Sequence, residues 1–305
     1  MPRFTLGTRG SPLALVQANL VRDAIAAAHG WAREEIAIVA VRTTGDRVQD
    51  RPLAEIGGKA LWTEELDRAL LDREVDACVH SMKDVETVRP ETIALAATLP
   101  RADTRDRLVG AASIEALRHG ATVGTSSPRR RAQLLARRPD LDVVTFRGNV
   151  DTRLAKLARG EADATLLAAA GLERLGRDAV GVALDLLPAP AQGAVGVEVR
   201  ADDSRARAIV AAIDHAPTHG CVLAERALLA ALRADCHSPV AALATVAGDR
   251  LTLRAELYAE DGEARVAGGI EGAPSEPLGE RLAIDLLSRA PDVIRALFAP
   301  QLSIG

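Results

Sequence analysis

FTLGTRGSPLALVQANLVRDAIAAAHG, residues 4–30, reads as one strand–turn–helix unit. Phe4 to Thr8 read as a strand, the chain turns at Arg9 and Gly10, and a helix runs from about Pro12 to His29. Ser11 is placed to cap that helix, Pro12 stands at the first helical position, where its missing N–H is not needed, and Gly30 ends it. A second strand follows in EIAIVAVRTTGD (35–46), then a polar, glycine-containing loop from about Gly45 to Gly58. After it come a helix through LWTEELDRALLDR (61–73) and an apolar strand, VDACVHS (75–81).

The same order returns about a hundred residues later. ATVGT (121–125) is a strand, Ser127 and Pro128 open a helix, and DVVTFRGNVD (142–151), RLAKLARG (153–160) and ADATLLAAA (162–170) read as strand, helix and strand. Local echoes strengthen the match: GTRGSP against GTSSP, Arg42 against Arg147 at the end of the second strand, and EVDA (74–77) against EADA (161–164). Two similar α/β domains are expected, with mainly parallel sheets, ligands at the carboxyl ends of strands and a cleft between the domains as the natural site. From about Thr218 the pattern changes to a helix, CVLAERALLAALRAD (221–235), and to strands punctuated by the hairpin signals Gly248-Asp249 and Asp261-Gly262. A final helix is expected from near Glu276 to Phe298, completing a small α+β domain in which Cys236 sits on a loop. The expected partition is 1–98 with 195–215, 99–194, and 216–305.

The 305 residues are 48% hydrophobic and 26% charged, with no apolar run near the roughly eighteen residues that cross a bilayer. The start, MPRFTLGTRGSP, leaves no room for the apolar stretch of a secretion signal, so a cytoplasmic protein is expected. Three cysteines, Cys78, Cys221 and Cys236, are too few for a disulfide framework and fit a reducing compartment. Of the 38 basic residues only Lys59, Lys83 and Lys156 are lysines. Codon bias accounts for much of this, yet not for where the arginines fall. Aromatics at 2% remove the stacking platforms of single-strand binders, so no nucleic-acid partner is expected.

Both Ser-Pro helix starts put free backbone N–H groups and a positive helix end at a strand-to-helix turn, which suits an anion. Arg9 stands beside the first, and Arg129, Arg130 and Arg131 beside the second. Ordinary capping with solvated arginines would explain either turn alone. Two equivalent turns, joined by Arg147 and Arg153, point to a polyanion held by arginine forks. In HSMKDV (80–85), His80, Lys83 and Asp84 follow a buried strand, where a carboxylate could do acid–base work; a surface charge pair is the plainer alternative. GGKALW (57–62) is not a phosphate loop, because Leu53 stands where its first glycine belongs, and QGAVG (192–196) is too short for a dinucleotide fingerprint. His215, His219, Cys221, Cys236 and His237 do not make a metal site, since Pro217 interrupts the one helical histidine pair. Cys236 and His237 are sequence neighbours, which nucleophile–base partners usually are not.

TRGSPLALVQA (8–18), GDR with GGKALW (45–62), HSMKDV (80–85), GTSSPRRRAQL (124–134), FRGNVDTRLAKL (146–157), AAAGLERLG (168–176) and PAQGAVGVE (190–198) closely resemble the hydroxymethylbilane synthases, or porphobilinogen deaminases, in the family's order. The resemblance implies two α/β domains like those of periplasmic binding proteins plus a small C-terminal α+β domain. It implies a cytoplasmic, monomeric, metal-free transferase that joins four porphobilinogen molecules head to tail, losing ammonia at each step, in tetrapyrrole biosynthesis. It further implies a dipyrromethane cofactor on Cys236 through a thioether, held by Lys83, Asp84, Ser127, Arg129 and Arg130. Arg9, Ser11, Arg147, Arg153, Arg174 and Gln192 would bind substrate, with Lys59 on a mobile loop over 45–60, and Asp84 would be the catalytic group at the pyrrole nitrogens. The chain departs from the family pattern at Trp62, usually phenylalanine, at Glu86, commonly proline, and at Ala234-Asp235, usually two glycines. A non-catalytic anion receptor of the binding-protein type is the competing reading; it would need neither Cys236 nor Asp84.

Overall fold

The computed structural model describes residues 2–41 and 63–298. The expected loop 45–60, with Lys59, as well as Arg42 and Trp62, lies outside the described residues. The chain divides into two compact units, residues 1–104 with 168–179 and 192–220, and residues 105–167 with 180–191 and 221–305.

The first unit begins with β1 (Phe4–Arg9) and α1 (Pro12–His29). Ser11 Oγ accepts a hydrogen bond from the Ala14 N–H, and Gly30, at φ 65°, closes the helix in the left-handed conformation. The face that α1 buries carries Ala14, Gln17, Ala18, Val21, Ile25 and Ala26, the three-to-four spacing of a helix lying on a sheet. β2 (Ile36–Val41), α2 (Glu64–Leu71), β3 (Ala77–Ser81) and β4 (Ile93–Thr98) follow.

The chain then passes into the second unit through β5 (Asp106–Val109), β6 (Thr122–Gly124), α3 (Pro128–Arg137), β7 (Asp142–Val144), α4 (Val150–Ala158) and β8 (Ala164–Ala168). After α5 (Ala169–Arg174) and the short β9 (Val182–Ala183), β10 (Val195–Arg200) returns to the first sheet, followed by α6 (Ser204–Ala211).

The two five-stranded sheets share one topology, with orders β2-β1-β3-β10-β4 and β7-β6-β8-β5-β9. In each, the first three strands are parallel; β10 runs antiparallel to its neighbours β3 and β4, and β5 runs antiparallel to β9. The EVDA and EADA echo has a structural reason. Asp76 Oδ2 accepts the Thr5 N–H at 2.8 Å, and Asp163 Oδ2 accepts the Thr122 N–H at 2.7 Å, so each aspartate stitches the start of the strand in second place in its sheet, β1 or β6. Phe4, Leu6, Val21, Ile25, Val195 and Val197 build the first core, and Leu108, Val123, Leu134 and Leu166 the second. Each such side chain contributes about 1.5–3 kcal/mol on burial.

Two sequence expectations change. DVVTFRGNVD is a strand only to Val144. The Phe146 ring lies over Gly124, where a Cβ would come within 2.3 Å of it, and Asn149 caps α4 by accepting the Thr152 N–H at 2.9 Å. The expected final helix is two, α8 (Leu278–Arg289) and α9 (Asp292–Phe298), because Pro291 has no N–H to continue the ladder. Between α7 (Ala216–Leu232) and α8 lie the hairpin-linked strands β11 (Val240–Ala247), β12 (Arg250–Tyr258) and β13 (Arg265–Gly272). Buried Glu225 of α7 accepts the backbone N–H groups of Ala191, at 2.5 Å, and Ala244, at 2.6 Å.

Candidate functional site

In the first unit, the carboxyl ends of β1 and β3 face an open pocket lined by Arg9, Ser11, Gln17, Thr63, His80, Ser81 and Asp84, with Leu13, Ala14, Val79 and Val85. The end of β1 places Arg9, and the N-terminus of α1 places Ser11. The single helical turn Met82–Asp84 places Asp84; it starts with Met82 N donating to Ala194 O at 3.1 Å and closes with Val85 N donating to Met82 O at 3.4 Å. Gln17, buried on the inner face of α1, donates from Nε2 to Ser81 Oγ at 2.8 Å and so holds the residue before the turn.

Behind this wall lies a buried charge network. Glu198 on β10 is 1% exposed, and Arg89 grips it bidentately at 3.0 and 2.7 Å. His80 Nε2 lies 3.3 Å from Glu198 Oε2. Burial pushes the Glu198 carboxyl up, but His80 and Arg89 outweigh it and hold its pKa at about 2. Arg89 also forks onto Asp67 of α2 at 2.9 and 2.6 Å, and reaches Glu86 at 2.9 Å and Thr63 Oγ1 at 3.2 Å.

In the second unit, Ser127 caps α3 by accepting the Arg130 N–H at 3.4 Å, and the next arginines turn inward. Arg129 and Arg130 are 3% and 5% exposed and share the fully buried Asp106, with Nη to Oδ distances of 2.5 and 2.7 Å. Burial alone would raise the Asp106 carboxyl, but the two guanidiniums hold it far below the usual carboxylate range. Arg129 also donates to Gln133 Oε1 at 3.0 Å, and Arg130 to Leu166 O at 2.8 Å. Two cations face one anion, which leaves a net positive charge at this turn. The Nε groups of Arg129 and Arg130, and Nη1 of half-buried Arg147, have no hydrogen-bond partner. Arg153 donates to Gly148 O at 2.9 Å and to Ser126 Oγ at 3.4 Å.

The remaining expected residues lie elsewhere. Arg174, in the first unit, donates to Gly193 O at 2.8 Å, and buried Gln192 donates to Thr104 O at 2.8 Å while its own carbonyl accepts from Arg101 at 2.9 Å. Both therefore brace the return of the chain toward β10. Lys83 is half-buried on the turn and does not line the cavity. Cys236 is exposed on the loop after α7, whereas Cys78 and Cys221 are buried; burial pushes the Cys78 thiol well up. Among the described residues no cluster of His, Cys, Asp and Glu is set to hold a metal, and no helix is long and apolar enough to cross a membrane.

Gln17, Thr63, Arg89, Asp106 and Glu198 were not expected from the sequence. Two of them left a signal: Gln17 is the polar residue on the apolar stripe of α1, and Glu198 is a carboxylate inside the wholly buried strand VGVEVR. Such placements need a partner or a ligand.

Comparison with known proteins follows the same lines. Residues 4–208 match the family model described as porphobilinogen deaminase, dipyromethane cofactor binding domain, and residues 219–288 match porphobilinogen deaminase, C-terminal domain. The porphobilinogen deaminase of Sphingopyxis alaskensis is 56% identical over 96% of this chain and 96% of its own. That of Paracoccus denitrificans is 52% identical over 94% of each. Among solved structures, substrate binding domain 2 of Lactococcus lactis GlnP covers 75% of this chain and 89% of its own, with 14% identity and a TM-score of 0.44.

Proposed function

The chain belongs to the porphobilinogen deaminase family, and on that premise we propose that Asp84 is its catalytic group, with Arg9 and Ser11 binding the substrate beside it. The enzyme condenses four porphobilinogen molecules head to tail, releasing ammonia, to give the linear tetrapyrrole hydroxymethylbilane. Its cofactor is dipyrromethane. A non-catalytic anion receptor would need neither Asp84 nor Cys236, and the family membership sets that reading aside.

The observation that carries the proposal is the cavity that brings Asp84 together with Arg9 and Ser11. Porphobilinogen carries an acetate and a propionate. Arg9 and the positive end of α1 suit those carboxylates, which would leave the pyrrole nitrogen and aminomethyl group toward Asp84. Loss of ammonia from the substrate leaves an electron-poor ring whose positive charge spreads onto the pyrrole nitrogen. A fixed carboxylate stabilises that charge and takes up the proton released when the new carbon–carbon bond forms.

The residues present fit the cofactor. Cys236 offers an exposed thiol in the stretch matching the C-terminal domain, and the partnerless Nε atoms of Arg129 and Arg130 suit carboxylates. When bound, the dipyrromethane supplies the pyrrole carbon to which the first substrate unit is joined. Ser127, Arg129, Arg130 and Lys83 would hold it by its acidic side chains, as Asp84 would at its pyrrole nitrogens. Arg147, with its own partnerless Nη1, and Arg153 would bind carboxylates of the growing chain, as would Arg174 if it exchanged its Gly193 carbonyl for one. Gln192 would brace the crossing between the domains, and Lys59 would cover the site. Each of the three sheets falls within one module of the partition 1–98 with 195–215, 99–194 and 216–305. We place the enzyme in the cytoplasm as a monomer; its three cysteines, none in a disulfide and two of them buried, support a reducing compartment.

The test is Asp84→Asn, which keeps the size of the side chain and removes its charge. The variant should fold and bind porphobilinogen yet lose turnover by about 10² to 10⁴, the usual reach of general acid–base help. Ammonia release at nearly the wild-type rate by folded, cofactor-loaded Asp84→Asn would refute the assignment.

A further inference from the structure

The turn that carries Asp84 is held on both sides. Before it, Ser81 is tied to Gln17 of α1. After it, Glu86 stands two residues past Asp84, at the position where the family commonly has proline. Glu86 Oε2 accepts from Thr63 Oγ1 at 2.7 Å and from Arg89 Nη1 at 2.9 Å. The same guanidinium forks onto Glu198 in the middle of the sheet and onto Asp67 in the first turn of α2.

We propose that Arg89 is a positioning residue for the reaction, a hub that fixes the Asp84 turn against β10 and α2 through Glu86, Thr63, Asp67 and Glu198. Four observations carry this. The hub is nearly dry: the Arg89 side chain is 11% exposed, and those of Asp67, Glu86 and Glu198 are 14, 16 and 2% exposed. Both forks are bidentate, which fixes the guanidinium plane as well as its position. Thr63, His80 and Val85, which adjoin or belong to the network, line the same cavity as Asp84. Finally, His80 contacts the Glu198 carboxylate held by Arg89, so the strand leading into the turn and the residue leaving it are referred to one buried anion. A lysine at position 89 would keep the charge and lose both forks.

The proposal rests on Asp84 as the reacting group, and the experiment separates the two. Arg89→Lys, Asp84→Asn and the double variant are purified, cofactor loading is measured by intact mass, and kcat and KM for porphobilinogen are determined. In loaded Arg89→Lys, kcat should fall about 10- to 100-fold with KM within about twofold of wild type, because misplacement by an ångström costs rate more than ground-state binding. In the Asp84→Asn background the same change should cost less than about twofold, since the group being positioned is gone. Wild-type kcat in loaded Arg89→Lys overturns the proposal, as does an equal loss in both backgrounds, which would mean that Arg89 acts without Asp84. Near-wild-type turnover in Asp84→Asn alone removes the assignment of Asp84 and this proposal with it. Should Arg89→Lys not fold, Glu86→Gln leaves both forks intact and weakens the arm that reaches the turn. It should lower kcat about three- to tenfold at unchanged KM, and an unchanged kcat there overturns the proposal.

Discussion

Arg130 and Arg131 are neighbours with opposite surroundings, and a leucine at each reads out the difference. Arg130→Leu leaves Asp106 fully buried with one cation instead of two and should cost about 3–5 kcal/mol in urea unfolding. Arg131 is exposed and donates to Val143 O at 2.7 Å, so Arg131→Leu should cost about 1 kcal/mol or less. Equal losses would mean that Asp106 is not the anchor of the turn. The cysteines differ in the same way. Intact mass should exceed the polypeptide by two substrate units less two ammonias, with the adduct on exposed Cys236; an adduct on buried Cys78 or Cys221 would overturn the attachment site. Asp235 Oδ1 accepts the His237 N–H at 2.8 Å, closing the turn around Cys236 where the family usually has glycine.

Elements whose ends are set by local chemistry were legible in the sequence. The two Ser-Pro helix starts are one example, since capping and the proline position need no distant residue. FRGNVD was misread as strand because its course is set by a residue more than twenty positions away: Gly124 of β6, whose missing side chain makes room for the Phe146 ring. Gly124→Ala should therefore lower stability by about 1–3 kcal/mol and, by moving the backbone beside Arg147, slow chain growth. Gly10→Ala, with open space around the added carbon, should leave the melting temperature within a degree or two. The same logic covers the site. Arg9, Ser11 and Asp84 stand in contiguous motifs, whereas Asp106 and Glu198 take their meaning from arginines brought to them by the fold. These two acids sit on equivalent strands, the antiparallel fourth strand of each sheet, so the repeat extends to a buried acid gripped by arginine.

For the molecule as a whole, those buried acids set the acid limit. The folded carboxyls of Glu198, at about 2, and Asp106, lower still, lie below the unfolded values of about 4. Their contribution is therefore fully present above about pH 4 and is lost as pH falls through the folded values. Unfolding free energy should be flat from neutrality to about pH 5 with respect to these groups, then fall steeply toward pH 2. Glu198→Gln should be less stable at neutrality and show a shallower fall, measured by urea titration at each pH; an unchanged slope would show that Glu198 does not bear the linkage.

β10 lies between β3 and β4, and Val195, Val197 and Val199 are wholly buried in the first core. The ribosome must therefore translate the entire intervening lobe before that sheet can be zipped shut. Until then, β3 has β1 on one side only and β4 has no strand beside it, so a nascent chain stalled at residue 150 should be cut rapidly by protease, and one released beyond residue 220 should resist. Splitting the gene at the apparent lobe boundary near residue 104 would yield a fragment that lacks its own keystone.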